Sequence, residues 1–303
     1  MTDRPLVRWN SLAEARLGLR ELWGSGRSLG SVHTLGDLHE GHAEVIRKAA
    51  TENEFVVVSI VPNTAQLARG TQYRYNKEAD SIYAHRNGAT HVITPDQVEL
   101  YPPGYSTFLN QGECYNRLDA TVVPFLFRGM ITMSFRWICF TRPTRTYWGL
   151  KDIGQFQLVR QAVLDFGLDT EVREVPCVRF ESGCPISSRL LRLPGEELQE
   201  LGSVYWALQQ AREMIVAGET SSAAVIGEII RRSNLKTFRF HYVKVAKPDD
   251  FSEPQTVGLP LIVHCALTNG TINHFDGMFL RNERELMDGP PVIWLSSPSS
   301  VSV

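Results

Sequence analysis

A short apolar run constrains the fold of this chain more than any other segment. Residues Phe55–Val61, with the sequence FVVVSIV, are almost all apolar, and most of them are β-branched. A strand with one solvent-exposed face would alternate polar and apolar residues, whereas a run of this kind indicates a strand that is covered on both faces. Such strands occur in parallel sheets that are packed with helices on both sides. The run therefore predicts an α/β fold.

The segments around this run alternate between strand-like and helix-like patterns. Further strands are predicted at Ser28–His33, His91–Thr94, Thr146–Trp148 and Thr170–Val178, and helices at His42–Asn53, Lys77–Asn87 and Ile153–Phe166. Strand, helix and strand in repetition indicate a parallel sheet with right-handed crossovers. We therefore predict a Rossmann-like, doubly wound parallel sheet in the N-terminal part.

The pattern changes after about Pro185. Helices are predicted at Glu196–Ala217 and Ser221–Ser233, and strands at Arg239–Ala246, Leu259–Leu267 and Thr271–Phe275. The last two strands are joined by Asn269-Gly270, which is a hairpin signal. We expect residues 1–184 to form a Rossmann-like domain and residues 185–303 to form a smaller α+β domain. The tail from Asp288 onward is expected to be loose.

Charge and composition narrow the classes of function. The 303 residues carry a formal charge of -2 with a pI near 6.5, so electrostatics gives no reason to expect a nucleic-acid or membrane partner. The sequence shows neither an apolar run long enough to span a membrane nor a signal peptide. The five cysteines are scattered and form no CxxC pair, which argues against a disulfide framework or a structural zinc site. A cytoplasmic protein with reduced thiols is expected.

The most informative motif is TLGDLHEGH at Thr34–His42, between a predicted strand and a predicted helix. His39 and His42 would lie where the helix begins, and there the unpaired backbone N–H groups and the helix dipole favour an anion. Gly36 and Gly41 would let the backbone approach phosphates, and the imidazoles could donate hydrogen bonds to charge that develops on an attacked phosphorus. A chance pair of surface or zinc-binding histidines is the alternative. No carboxylate is spaced to complete a zinc site.

Two weaker motifs follow. The segment Gly149–Asp152 (GLKD) precedes a predicted helix, and its lysine could place a charge on a phosphate while its aspartate holds Mg²⁺. The segment Ile186–Arg189 (ISSR) offers two hydroxyls and a guanidinium that suit a leaving pyrophosphate. Taken singly, each motif is better explained as a capped helix start or a polar linker.

In this order and at these separations, the three motifs resemble the pantothenate synthetase (pantoate–β-alanine ligase) family of the HxGH nucleotidyltransferase superfamily. The resemblance covers nearly the whole chain and includes VVVSIVPNTAQ, YPPG, FRG, GLKD and SSR. It implies an ATP-dependent ligase: a carboxylate attacks ATP to give an acyl-adenylate and pyrophosphate, and an amine then displaces AMP to form an amide. It also implies ATP and Mg²⁺ as cofactors. The domain of residues 1–184 would bind the nucleotide and the acid and form a homodimer, and the domain of residues 185–303 would act as a lid.

The resemblance implies a role for each residue that matches a family motif. Catalysis would depend on His39, His42, Lys151 and Arg189. ATP would contact Leu35, Gly36, Asp37, Leu38, His39, Glu40, Gly41, His42, Gly149, Leu150, Lys151, Asp152, Val178, Ile186, Ser187, Ser188 and Arg189. Asp152 would also hold Mg²⁺. The acid and the amine would contact His33, Leu35, Asn63, Gln66, Val123, Leu126 and Gln155, with the two glutamines holding a hydroxy acid.

The chain departs from the family where the amine would bind. Val123 and Leu126 stand where the family has an arginine and a histidine that face the carboxylate of the amine. Each lost charged hydrogen bond costs about 1.5–3 kcal/mol, so we expect an amide ligase with an altered substrate pocket, although Arg74, Arg128 or Arg189 could still bind a carboxylate. The alternative is a divergent pantothenate synthetase that joins pantoate to β-alanine. An enzyme that stops at the adenylate and an inactive nucleotide-binding protein are less favoured.

Overall fold

The computed structural model describes residues 5–67, 73 and 75–295, and the chain divides into two compact units. Unit 1 comprises Met1–Tyr115, Val123–Gly149 and Leu158–Val175, and unit 2 comprises Asn116–Val122, Leu150–Gln157 and Pro176–Val303. Two short segments of unit 2 therefore interrupt the sequence of unit 1. The proposed domain boundary after residue 184 stays a prediction.

Unit 1 is built on a six-stranded parallel sheet. Its strands are β1 (Val7–Trp9), β2 (Leu29–Thr34), β3 (Phe55–Ile60), β4 (His91–Ile93), β5 (Arg145–Gly149) and β6 (Glu171–Val175). The connecting helices are α1 (Leu12–Gly24), α2 (Glu40–Glu52), α3 (Lys77–Arg86), α4 (Gln97–Leu100), α5 (Leu126–Thr141) and α6 (Ile153–Asp165), of which α6 begins in unit 2. The predicted α/β class and doubly wound parallel sheet are confirmed.

The winding of the sheet reverses at β2. The order is β1-β4-β3-β2-β5-β6, and every pair is parallel. From β2 the chain winds through β3 and β4 on one side, and then through β5 and β6 on the other. Doubly wound sheets bind ligands at the carboxyl ends of the strands where the winding reverses. The loop that follows β2 leaves the sheet at this position.

The centre of this sheet is buried on both faces, as FVVVSIV predicts. Val56, Val57, Val58 and Ile60 are at most 1% exposed. Burying one such side chain stabilises the fold by about 1.5–3 kcal/mol. On one face the core cluster includes Trp9, Val57, Ile93, Met133 and Trp137. The sheet is therefore a rigid support for the loops at its carboxyl edge.

Unit 2 contains an antiparallel sheet covered by helices. Its elements are β7 (Cys177–Phe180), α7 (Gly195–Val216), α8 (Ser222–Arg232), β8 (Arg239–Ala246), β9 (Leu261–Thr268), β10 (Asn273–Leu280), α9 (Glu283–Asp288) and β11 (Val292–Leu295). The three-stranded sheet has the order β10-β9-β8, and β11 pairs with β7 in parallel. Leu208, Val225, Ile229, Val263 and Leu280, each at most 1% exposed, belong to its core.

Several predicted elements differ from those observed. The single strand predicted at Thr170–Val178 is two strands in different sheets, β6 and β7, because Pro176 between them has no N–H group to continue a ladder. The strand predicted to end at Phe275 continues to Leu280. The tail predicted to be loose contributes β11, and residues 296–303 lie outside the described part. Within the described residues, none of the helices combines the length and the apolar character that crossing a bilayer requires.

Candidate active site

The HxGH motif forms the start of α2. His39 is the N-cap residue, and its Nδ1 accepts a hydrogen bond from the backbone N–H of Gly41 at 3.1 Å. In return, the backbone N–H of His39 donates to Nδ1 of His42 at 3.2 Å, and the two ring centroids are 4.1 Å apart. An imidazole that accepts at Nδ1 carries its proton on Nε2 when it is neutral. Reciprocal capping therefore orients both rings and places each N–H donor on Nε2.

The loop before this helix is held by a carboxylate that the sequence analysis missed. Asp80 on α3 accepts from the backbone N–H groups of Asp37 at 3.1 Å and Leu38 at 2.8 Å, and from that of Asn76 at 3.2 Å. Asp80 is only 6% exposed. These N–H groups of the loop are therefore paired within the protein. No local pattern pointed to Asp80, which lies 43 positions from Asp37 in the sequence.

Backbone geometry explains the glycine in the same loop. Gly36 has φ 94°, and Asp37 has φ 55°. A Cβ atom at Gly36 would lie 2.4 Å from Cβ of Tyr75, which is closer than two carbon atoms can approach. Glycine is therefore required both by the left-handed backbone and by the neighbouring side chain.

Asn63 and Gln66 lie together after β3. The Nδ2 group of Asn63 donates to Oε1 of Gln66 at 2.7 Å and to the carbonyl of Gly129 at 3.0 Å. Its Oδ1 accepts from the backbone N–H of Ala65 at 3.2 Å and from the hydroxyl of Tyr101 at 2.6 Å. Asn63 is 2% exposed, and these four bonds use its full hydrogen-bonding capacity. Asn63 is thus placed to orient Gln66. Since Oε1 of Gln66 is bonded to Asn63, the Nε2 group of Gln66 faces other partners.

His33 is the penultimate residue of β2. Its Nδ1 lies 3.0 Å from Oγ of Ser59 on β3, and its ring stacks on Trp137 of α5 with 5.6 Å between centroids. Burial lowers the pKa of His33 to about 3. The ring is therefore neutral at physiological pH.

The GLKD motif spans the end of β5 and the turn that follows. Nζ of Lys151 lies 3.2 Å from Oδ1 of Asp152. Burial alone would raise the pKa of Asp152, but the charge and hydrogen bond of Lys151, helped by Arg189, hold it below its usual value. Asp152 is therefore an ionised carboxylate. Among the described residues no three His, Cys, Asp or Glu side chains are grouped as a metal site, so Mg²⁺ here would take most of its ligands from phosphate and water.

The ISSR motif lies in unit 2 beside β7. The backbone N–H of Ile186 donates to the carbonyl of Val178 at 3.0 Å, and both side chains are buried in the core of unit 2. Arg189 is more exposed, and its Nη1 donates to the carbonyl of Asn273 on β10 at 3.3 Å. Val178 and Ile186 can therefore meet a ligand only through their backbone atoms, whereas Arg189 can offer its charge.

The predicted site residues are distributed over both units. Unit 1 contains His33, the segment Leu35–His42, Asn63, Gln66, Val123, Leu126 and Gly149. Unit 2 contains Leu150–Asp152, Gln155, Val178 and Ile186–Arg189. Val123, Leu126 and Gln155 are half-buried. Arg74, one of the cations that could bind a carboxylate, lies outside the described residues.

Two buried polar clusters of unit 2 escaped the sequence analysis. Arg179 on β7 makes a bidentate ion pair with Asp276 on β10, at 2.8 and 2.6 Å, and both residues are 2% exposed. Asp119 accepts from the hydroxyl of Tyr242 at 3.2 Å and lies 3.3 Å from Nε2 of His264. The sequence did contain a sign of the Arg179–Asp276 pair. The strands CVRF and NHFDGMFL are mostly apolar but contain Arg179 and Asp276, and charged residues are rarely buried unless they are paired.

Comparison with known proteins gives consistent matches along the chain. The model of the family described as "Pantoate-beta-alanine ligase" matches residues 8–279. The pantothenate synthetase of Fervidobacterium nodosum is 30% identical over 264 residues, which are 86% of this chain and 94% of that protein. The pantothenate synthetase of Roseiflexus sp. is 32% identical over 276 residues, or 89% and 98% of the two chains. The crystal structure of pantothenate synthetase from Thermus thermophilus superposes with a TM-score of 0.83 at 27% identity, and the match covers 91% of this chain and 100% of that one.

Proposed function

Because the chain belongs to the pantoate–β-alanine ligase family, we propose that its substrates are pantoate and β-alanine. As a member of this family it is an ATP-dependent ligase that forms an amide through an acyl-adenylate. The products are then pantothenate, AMP and pyrophosphate. The family match over residues 8–279 is the observation that carries this proposal, and curated pantothenate synthetases about 30% identical over most of both chains support it.

The altered-amine interpretation finds no support in these comparisons. It depended on Val123 and Leu126, which replace two residues expected to face the carboxylate of the amine. Arg128, in the first turn of α5, is a cation that can take over this contact. Its guanidinium lies 4.2 Å from the ring centroid of Phe108, and its Nε has no hydrogen-bond partner among the described residues. Its neighbour Gly129 accepts a hydrogen bond from Asn63. We therefore assign the carboxylate of β-alanine to Arg128.

In the first step, a carboxylate oxygen of pantoate attacks the α-phosphorus of ATP, and the bond from that phosphorus to the β-phosphate oxygen breaks. His39 and His42 donate from Nε2 to the oxygens that gain charge on the α-phosphorus. One such donor accelerates a reaction by about 10²–10³-fold. Gln66, oriented by Asn63, and Gln155 bind the hydroxy acid. In the second step the amine of β-alanine attacks the acyl carbon and AMP leaves.

Residues of unit 2 are assigned to the polyphosphate. Lys151 and Arg189 supply positive charge, and Ser187 and Ser188 supply hydroxyl donors to the pyrophosphate that leaves. Asp152, which is held ionised, would hold Mg²⁺, and the ion would supply positive charge to the polyphosphate. We also propose a homodimer, which light scattering after size-exclusion chromatography would test.

The test is a product assay with purified protein, ATP, Mg²⁺, pantoate and β-alanine. We expect equimolar pantothenate and AMP by mass spectrometry, with kcat/KM for β-alanine of about 10⁴ M⁻¹s⁻¹ or above. Propylamine, an amine of similar length that lacks the carboxylate, is the matched substrate control. An Arg128→Met variant keeps a long side chain beside Phe108 but removes the charge, and it should raise KM for β-alanine without changing pyrophosphate exchange. Faster amide formation from propylamine than from β-alanine would refute the proposed substrate pair.

A further inference from the structure

His274 on β10 is a buried imidazole with one ring nitrogen, Nε2, that has no hydrogen-bond partner among the described residues. The residue is 3% exposed. Buried polar groups in native proteins are nearly always bonded, and an exception calls for a partner outside the chain or a functional reason. His274 therefore marks a place where a ligand or a trapped water completes a hydrogen bond.

The surroundings of His274 favour an anionic ligand. The strand β10 packs against the turn Leu150–Asp152, and Arg189 donates to the carbonyl of the preceding residue, Asn273. The nearby carboxylate of Asp276 is already occupied by both terminal nitrogens of Arg179. Cationic side chains thus gather around the imidazole, while the carboxylate beside it is already paired.

The protonation state of His274 fits the same ligand. Burial lowers its pKa to about 3; Asp276 opposes this shift, while Lys151, Arg179 and Arg189 add to it. The ring is therefore neutral at physiological pH and carries one N–H donor. A neutral N–H donor can bind a phosphate oxygen here. A further buried cation at this position would be repelled by the three cationic side chains already nearby, and its charge would be costly to bury.

We propose that His274 is a nucleotide-binding residue that donates a hydrogen bond to the polyphosphate of ATP, beside Lys151 and Arg189. The inference rests on the proposed function, because ATP supplies the polyphosphate. A histidine that is merely buried with a water molecule would have the same burial but no effect on the nucleotide. The two roles differ in what a substitution does to ATP affinity relative to stability.

The experiment compares His274→Leu with His274→Gln by isothermal titration calorimetry, without acid or amine. The leucine variant removes a polar group that lacks a protein partner, so its unfolding midpoint should stay equal to that of the wild type or rise. Its Kd for ATP, and likewise for pyrophosphate, should rise by about tenfold or more, the scale of one hydrogen bond to a charged group. The Kd for AMP should not change. The glutamine variant, which keeps a donor near the position of Nε2, should stay within a few-fold of the wild type.

His241→Leu is the matched control, because His241 is exposed on β8 and lies 3.3 Å from Oδ1 of Asn273. It should leave all three affinities unchanged. If the leucine variant fails to fold, the imidazole ¹⁵N resonances of His274, assigned by their loss in the glutamine variant, are followed in the wild type. A shift with ATP and pyrophosphate but not with AMP supports the proposal, and no shift overturns it.

The outcomes also separate this inference from the proposed function. A wild-type protein that binds ATP through His274 but makes no pantothenate refutes the proposed function alone. A wild-type protein that makes pantothenate, together with a leucine variant that binds ATP and pyrophosphate equally well, refutes the role of His274 alone.

Discussion

Asp80→Asn is the substitution that most directly tests how the loop before α2 is held. The carboxylate of Asp80 accepts three backbone N–H groups, two on Oδ2 from Asp37 and Asn76 and one on Oδ1 from Leu38. An asparagine keeps one oxygen and places an NH₂ group where the other was. If the remaining oxygen stays on the pair of N–H groups, the new NH₂ group faces the N–H of Leu38, and two donors oppose each other.

The cost follows from these three bonds. The variant loses one hydrogen bond to a charged acceptor, which costs about 1.5–3 kcal/mol. The other two bonds now have a neutral acceptor, which weakens each of them by about 0.5–1 kcal/mol. The total is about 2.5–5 kcal/mol. Every 1.4 kcal/mol is a factor of about ten, so kcat/KM for ATP should fall by about a hundredfold or more if adenylation requires the loop in this conformation.

The assay separates the two half-reactions. Pyrophosphate exchange with ATP and pantoate measures adenylation, and transfer from preformed pantoyl adenylate to β-alanine measures the second step. Asp80→Asn should slow the first and leave the second nearly unchanged, because the loop is assigned to the phosphates. Asp165→Asn, on the exposed end of α6, is the control for a charge change of the same kind. A folded Asp80→Asn variant with wild-type exchange kinetics would refute the role of the anchor.

Three further outcomes are expected. His42→Ala should lower pyrophosphate exchange at least about a hundredfold with an unchanged circular dichroism spectrum, and near-normal exchange would remove this imidazole from the mechanism. Asp152→Asn should shift the Mg²⁺ titration of exchange to higher concentration, because the carboxylate is held ionised; an unaltered titration would leave it only a capping role. His33 has its pKa lowered to about 3 from 6.5, so between these values the unfolded chain binds more protons and stability falls as the pH decreases. The loss in thermal midpoint between about pH 7 and 5 should be smaller in His33→Leu, and an equal loss in both proteins would contradict this assignment.

The sequence predicted the parts of the fold that depend on local patterns. FVVVSIV indicated a strand buried on both faces, and β3 spans Phe55–Ile60. The position of HxGH between a strand and a helix was confirmed, since β2 ends at Thr34 and α2 begins at Glu40. The helix α5 was missed because β-branched and aromatic residues make up much of its sequence, and these residue types favour strands over helices.

The parts of the candidate site that depend on distant contacts could not be predicted. Asp80 follows an ordinary helix start, and nothing in its neighbourhood in the sequence indicates that it binds the loop before α2. Asn63 was assigned to a substrate because of its type and position, but whether a side-chain amide is already occupied depends on Tyr101 and Gly129, which come later in the chain. The altered-amine interpretation had the same weakness: Val123 and Leu126 show which groups are missing, not which cation replaces them.

The interleaving of the two units in the sequence has a consequence for synthesis on the ribosome. All six strands of the parallel sheet have been translated once Val175 is added, so this sheet can assemble while the rest of the chain is still being made. The segments Asn116–Val122 and Leu150–Gln157 are translated early as well, but they belong to a unit whose strands β8 to β11 come last. Lys151 and Asp152 can therefore reach their final places only after β8 to β11 have been translated. We expect a nascent chain that lacks these strands to be unable to consume ATP.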